Sequence, residues 1–226
     1  MHREDINRWN KVHKRKHEEG NDGHSVYAEE KEALFPRGCV VCDLGGGTGD
    51  DALYFLRKGH VVILLDISDF AINIAEKKAK DNGFEKSLVT KQIDFGLHEL
   101  PLNDNSLDVA YSRISLNYFP GDETIWLFSA IYKALKPGGY AYLTLKSDQD
   151  TEEMEYLKEA AVEYEPGVYI ENGQLRSRFT VEQLKDMLSR SGIQNFGVHP
   201  YNEQLGADKT GHKQILHLNE IIFTKV

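Results

Sequence analysis

Apolar residues recur along this chain in two alternating rhythms. Short apolar or alternating runs at 39–44, 60–66, 87–93, 107–112 and 139–145 have the length and composition of strands. Segments with helical periodicity separate or follow them: 50–58, 68–82, 122–135 and 180–191. Ser68 is placed to cap the second of these helices and Gly83 to stop it. This alternation predicts a doubly wound α/β domain built on a mostly parallel sheet. Two further strand-like runs, 193–201 and 215–224, follow with only a polar loop between them, so they are expected to pair antiparallel.

Two segments stand outside this rhythm. Near the start, Ile6, Trp9 and Val12 recur at helical spacing among charged residues, which predicts an amphipathic helix docking one apolar stripe. Arg8, Lys11, Lys14, Arg15 and Lys16 give that helix a basic, solvated face, and Gly20-Asn21-Asp22-Gly23 ends it. His13 and His17 stand four apart, but with no third ligand nearby no metal site is expected. The other segment, 147–179, begins with an acidic helix expected over 150–165. Next comes Val168-Tyr169-Ile170-Glu171-Asn172-Gly173-Gln174-Leu175-Arg176, in which Asn-Gly between apolar-rich runs predicts a type I′ hairpin.

At 226 residues and 40% hydrophobic content the chain fits a single globular domain. The charged start and the lack of any 18-residue apolar run predict neither signal peptide nor membrane span, hence a cytoplasmic protein. A net charge of −9 speaks against sequence-independent nucleic-acid binding, which needs a basic face. The two cysteines form Cys39-x-x-Cys42 within an apolar strand, where residues three apart face opposite ways, so they are expected to be structural and buried.

The chemistry is concentrated where the first strand runs into Asp43-Leu44-Gly45-Gly46-Gly47-Thr48-Gly49-Asp50-Asp51. Glycines at 45, 47 and 49 allow positive φ angles and close approach of a ligand to the backbone. Parsed from Gly47, the turn matches a dinucleotide fingerprint with Asp66 downstream, the signature of a nicotinamide-dependent oxidoreductase. Parsed from Asp43 as Asp-x-Gly-x-Gly-x-Gly, it resembles motif I of class I S-adenosylmethionine (SAM) methyltransferases. Charge separates the two: a helix N-terminus carries about half a positive charge and attracts a diphosphate, yet here Asp43, Asp50 and Asp51 crowd it. Three carboxylates suit a ligand bearing a sulfonium and an ammonium.

The resemblance extends over about 38–145 and, more loosely, the C-terminal hairpin. Asp66 ends the second strand, Gln92-Ile93-Asp94-Phe95 follows the third, Leu107-Asp108-Val109-Ala110-Tyr111-Ser112 is similar to the fourth, and Leu135-Lys136-Pro137-Gly138-Gly139-Tyr140 to the turn before the fifth. The resemblance implies a Rossmann-like seven-stranded sheet, mostly parallel with an antiparallel terminal strand. It implies SAM as cofactor and S-adenosylhomocysteine (SAH) as product, held by Asp43, Gly45, Gly46, Gly47, Gly49, Asp66, Ile67, Asp94, Phe95 and Ser112. In that scheme Asp66 takes the ribose hydroxyls, while Asp94 accepts the adenine amino group and its neighbour flanks the ring. Gly46 stands where the family more often has a small residue or cysteine, which leaves the backbone geometry available. A weaker similarity to the tellurite-resistance and thiopurine-type branch rests on Tyr201-Asn202-Glu203-Gln204 and the 218–224 strand.

Methyl transfer from a sulfonium is an in-line displacement on an activated carbon, so positioning is the main requirement. A neutral hydroxyl or amine acceptor would add a general base. Arg113, Asn117, Tyr118 and His199 are the catalytic candidates; His98, His212 and His217 are further histidines to be placed. Tyr27, Arg113, Tyr118, Tyr169, Arg176 and Arg178 are the candidate substrate contacts. The expected organisation is an N-terminal lid (1–35), a cofactor-binding core (36–146), a substrate-cover insertion (147–179) and a C-terminal helix with antiparallel hairpin (180–226). The acceptor is expected to be a small molecule; nucleic acid or protein acceptors, and a non-catalytic SAM-binding module, remain alternatives. Neither metal nor membrane is expected, and the sequence leaves the oligomeric state open.

Overall fold

The computed structural model describes residues 3–20, 23–207 and 213–226. Asn21 and Asp22 of the expected helix break, and the candidate base His212, lie outside the described residues. The order of elements is α1 (Arg3–Glu18), α2 (Val26–Glu32), β1 (Val40–Leu44), α3 (Asp50–Arg57), β2 (Val61–Asp66), α4 (Asp69–Asp81), β3 (Leu88–Gln92), a single 3-10 turn (Phe95–Leu97), β4 (Leu107–Arg113), α5 (Gly121–Ala134) and β5 (Leu135–Lys146). Then follow α6 (Thr151–Ala160), β6 (Val162–Glu165), β7 (Val168–Glu171), β8 (Gln174–Ser177), α7 (Val181–Arg190), β9 (Phe196–Ala207) and β10 (Lys213–Thr224).

The main sheet has seven strands in the order β3-β2-β1-β4-β5-β10-β9. β1, β2, β3, β4 and β5 pair in parallel, whereas β10 runs antiparallel to both β5 and β9. This is the expected doubly wound, Rossmann-like α/β sheet. Strand order reverses between β1 and β4, and at that switch point a ligand crevice opens beyond the carboxyl ends of the strands.

Successive strand residues point to opposite faces, and two cores form accordingly. Cys42 and Leu44 of β1 join Phe128 and Ile131 of α5 and Leu184 and Leu188 of α7 on one face. Val41, Val62 and Leu64 meet Tyr27 and Ala28 of α2, Phe55 of α3 and Ala75 of α4 on the other. Each fully buried side chain of this size contributes about 1.5–3 kcal/mol, so the sheet and its flanking helices form a stable platform for the loops. Cys39 and Cys42 are free, buried and in opposite cores, as their strand spacing predicts.

Three local features differ from or refine the sequence reading. The acidic helix ends at Ala160 rather than reaching 165: Val162–Glu165 is a strand because it pairs antiparallel with β7, a partner the local pattern does not reveal. The Asn-Gly hairpin forms as expected. Glu171 pairs with Gln174, and Asn172 and Gly173 both take positive φ, at 49° and 73°, as a type I′ turn requires. The short helix α2 was not foreseen; Ser25 caps it by accepting a hydrogen bond from the Ala28 amide.

Candidate cofactor and acceptor site

The glycine turn after β1 adopts the conformation its composition demands. Gly45, Gly47 and Gly49 have φ of +72°, +53° and +77°. Gly46 is constrained differently: a Cβ there would lie 2.6 Å from Asp43 Oδ2 and 2.8 Å from Leu64 Cγ, so only glycine lets the turn close over the Asp43 carboxylate. Gly49 is a packing residue, since a Cβ on it would lie 2.7 Å from Ala75 Cβ of α4. It caps α3 and does not line the crevice.

Above this turn lies a cavity of about 1400 Å³. Its floor brings together Asp43, Gly45, Gly46, Gly47, Asp66, Ile67, Asp94 and Phe95, eight of the ten residues expected to hold the cofactor. Asp66 fixes the backbone around it: Oδ2 accepts the Gly47 amide at 2.8 Å and Oδ1 the Ser68 amide at 2.8 Å. Asp94 turns the chain after β3 by accepting the Gly96 amide at 3.0 Å.

The carboxylates of the floor are not equivalent. Asp50 is neutralised by Lys78 at 2.6 Å. Asp51 accepts from the Ser25 amide at 2.6 Å, the Ser25 hydroxyl at 2.9 Å and the Tyr111 hydroxyl at 2.8 Å. Asp43, only 2% exposed, keeps an Oδ2 without any hydrogen-bond partner. Burial, and then the neighbouring Asp51, Asp66 and Asp50, push its pKa well above the usual carboxylate range. A buried acid left unpaired is costly unless a cationic or donor group is to be received there.

The remaining candidates separate by position. Arg113 and Tyr118 line the cavity, Arg113 at the end of β4 and Tyr118 in the loop after it. Arg113 is held by Glu203 of β9 through Nε to Oε2 at 2.9 Å and Nη2 to Oε1 at 2.5 Å. Tyr118 is clasped between Trp9, with ring centroids 4.9 Å apart and edge to face, and the Arg176 guanidinium at 5.7 Å. Arg176 is therefore a support for the wall, itself paired with Glu171, and not part of the lining.

Six further candidates stand apart from the cavity. Ser112 is fully buried with its hydroxyl bonded to Ser115, and Asn117 spends its side-chain oxygen on the Lys146 amide at 2.6 Å, so neither reaches the cavity. Arg178 is 2% exposed and clamps Glu153 through two hydrogen bonds of 3.0 and 2.7 Å. Tyr27 is buried in the core against Tyr111 and Tyr201, and Tyr169 is buried in β7. His199 is exposed on β9 opposite Glu220, outside the cavity. His98 packs edge to face on Trp126 and His217 sits opposite Asn202 in the hairpin; neither lines the cavity.

Residues of α1 supply the part of the wall that was not foreseen. Trp9, His13, Lys16 and His17 line the cavity, and His24 joins them from the segment before α2. The helix is tied down at both ends of the crevice. Asn10 accepts from the Ser68 hydroxyl at 2.6 Å and donates to Asp69 at 2.6 Å, while Arg8 donates to the Asn172 carbonyl of the hairpin at 3.2 Å. The stripe of Ile6, Trp9 and Val12 signalled docking; that His13 and Lys16 share the inward side is a consequence of where the helix lands.

Residues 41–139 match the family model described as a methyltransferase domain. That segment is similar to the class I SAM-dependent methyltransferases. A ubiquinone/menaquinone biosynthesis C-methyltransferase, UbiE, from Blochmanniella pennsylvanica is 37% identical over 105 residues, 45% of this chain and 40% of that protein. The chain thus matches less than half the length of such curated relatives. A SAM-dependent methyltransferase from Methanosarcina mazei superimposes with a TM-score of 0.69 at 22% identity, covering 87% of this chain and 97% of the other. The 1,6-didemethyltoxoflavin-N1-methyltransferase of Burkholderia thailandensis, solved with bound 1,6-didemethyltoxoflavin and SAH, gives a TM-score of 0.60 at 18% identity, covering 89% of this chain and 79% of the other. These two share the fold of this chain, and with the methyltransferase-domain match the nicotinamide parsing of the glycine turn is set aside. Among the described residues no helix is long and apolar enough to cross a membrane.

The residues present fit SAM. Asp43 offers an unpartnered buried carboxylate to a cationic group, the cradle at Gly46 has no room for a side chain, and Asp66 ends β2 while Asp94 follows β3, with Ile67 and Phe95 as apolar flanks.

Proposed function

We propose that this protein is a methyltransferase that moves a methyl group from SAM to a small-molecule nucleophile by in-line displacement, its residues acting mainly by positioning. The observation that supports this most directly is Asp43, whose buried, unpartnered oxygen at the base of the glycine cradle is suited to a ligand carrying positive charge. When bound, SAM supplies a methyl carbon already activated by its sulfonium, so alignment replaces strong acid or base help.

In this reading Asp43 meets the cationic methionine end, Asp66 takes the ribose hydroxyls, and Asp94 accepts the adenine amino group between Ile67 and Phe95. Trp9, Tyr118 and Arg113 border the acceptor, and α1 keeps bulk water from the reacting atoms. Two names bear on acceptor size: a relative is named for C-methylation in ubiquinone/menaquinone biosynthesis, and a structural neighbour is named as a 1,6-didemethyltoxoflavin-N1-methyltransferase. Both names point to small molecules, but not to one attacking atom. The family match spans 41–139, so α1 and the insertion carrying α6 and β6–β8, which border the acceptor side, lie outside it. A chain of net charge −9 also opposes a polyanionic acceptor.

The test is calorimetric titration with SAM, SAH and NAD, followed by transfer of labelled methyl to thiols, phenols, amines and carbon acids. SAM binding without NAD binding, together with transfer to one of these classes, is the expected result. NAD binding alone overturns the cofactor assignment; SAM binding without transfer to any acceptor reduces the protein to a binding module.

A further inference from the structure

The cations of the cavity wall are not alike in how they are balanced. Arg113 is neutralised by Glu203, which is 4% exposed and grips the guanidinium with both oxygens. Lys146 is neutralised by Glu153 at 2.7 Å, and Glu153 is further clamped by Arg178. Lys16 also lines the cavity, yet among the described residues no carboxylate lies within ion-pair distance of its ammonium. It lines the same cavity as Arg113, whose charge acts on it.

We propose that Lys16, with Arg113 beside it, forms an anion subsite that holds a carboxylate or comparable anionic group of the methyl acceptor. Glu203 is taken up by Arg113, and Glu19 acts on Lys16 only from beyond ion-pair distance, so the Lys16 ammonium is left to receive an anion from the cavity. Burial, and then repulsion from Arg113, hold the Lys16 pKa below the ordinary lysine value, so an incoming anion would relieve a strain that the free protein carries. The apolar body of such an acceptor has Trp9, Tyr118, Leu175 and Leu205 to lie against. The acceptor class is thus a small, largely apolar molecule with one anionic group, and the reaction supplying it must leave that group free. This inference rests on the methyltransferase reading and narrows its substrate.

A carboxylate at this point has two sources, the acceptor or the methionine end of the cofactor, and one experiment separates them. SAH-saturated protein is titrated with benzoate, phenyl phosphate and neutral benzamide, and the series is repeated with Lys16→Met, Lys16→Glu and Lys16→Arg. The expected result is binding of at least one anion ten or more times tighter than benzamide. That preference is lost in Lys16→Met and Lys16→Glu and kept in Lys16→Arg, with SAH affinity within twofold throughout. Absence of any anion preference in the unmodified protein overturns the proposal, as does a preference that survives Lys16→Glu. A tenfold or greater loss of SAH affinity in Lys16→Met assigns the anion to the cofactor and overturns the acceptor subsite. Failure of the unmodified protein to bind SAH fails the cofactor reading itself and takes this subsite with it.

Discussion

The imidazole of His13 lies against Gly47: a Cβ added to that glycine would stand 2.8 Å from His13 Cε1. His13 Nε2 is also 4.0 Å from Asp66 Oδ1, so one side chain of α1 spans the glycine turn and the carboxylate assigned to the ribose. The cover of the site and its floor are therefore in direct contact. Gly47→Val adds a branched side chain at positive φ and into that contact. SAH affinity is expected to fall at least tenfold in calorimetry, with faster proteolysis near residue 20 as α1 lifts. Unchanged affinity together with unchanged cleavage would contradict this placement of α1.

Asp43 is expected to trade stability for binding. Its carboxyl group is buried among other acids without a partner, so Asp43→Asn removes a group that the fold makes costly to ionise. Melting temperature should rise by a few degrees at neutral pH, on the order of 1 kcal/mol for a chain of this size. SAM affinity should fall tenfold or more. The sign follows from linkage: an acid whose folded pKa is raised weakens the fold as pH climbs above the unfolded value, and the amide removes that slope. A variant that is less stable and still binds SAM as tightly would reject the assignment.

Glu153 behaves in the opposite way. Burial alone would raise its pKa, yet hydrogen bonds and charge from Arg178 and then Lys146 bring it down to about 2. A depressed carboxylate contributes stability that is present above its unfolded pKa and lost as pH falls toward the folded one. Denaturant midpoints should therefore drop between about pH 4.5 and pH 2, and Glu153→Gln should flatten that drop. The same change should cost about 2–4 kcal/mol at pH 7, because the nearly buried Arg178 loses its counter-charge. Equal acid sensitivity of the variant and the parent would show the triad to be idle.

The Arg113–Glu203 pair couples the end of β4 to β9 across the cavity wall. Arg113→Ala strands a carboxylate that is only 4% exposed and should destabilise by about 2–4 kcal/mol. Combining it with Glu203→Gln should restore part of that loss, giving a coupling of about 0.5–3 kcal/mol in a denaturant-based double-mutant cycle. Strictly additive effects would show that the pair does not act as a unit.

The sequence by itself determined the parts of this protein whose physics is local. The alternation of strand and helix, the Asp43-to-Gly49 turn with its positive φ angles, the Ser68 cap and the Asn172-Gly173 hairpin are set by residues within a few positions of one another. Local periodicity and backbone sterics suffice for them. Asp66 and Asp94 were legible too, because the parallel sheet brings the ends of successive strands to one crevice. Tertiary structure alone decided the rest. Val162–Glu165 leaves its helical pattern for a strand once β7 is beside it, Arg178 goes to Glu153 rather than to a ligand, and His199 faces away from the site. His13 and Lys16 become cavity residues only because α1 docks over Gly47 and reaches the hairpin. A charged side chain's role depends on which partner folding brings within a few ångströms, and those partners lie 25 to 164 residues away along the chain.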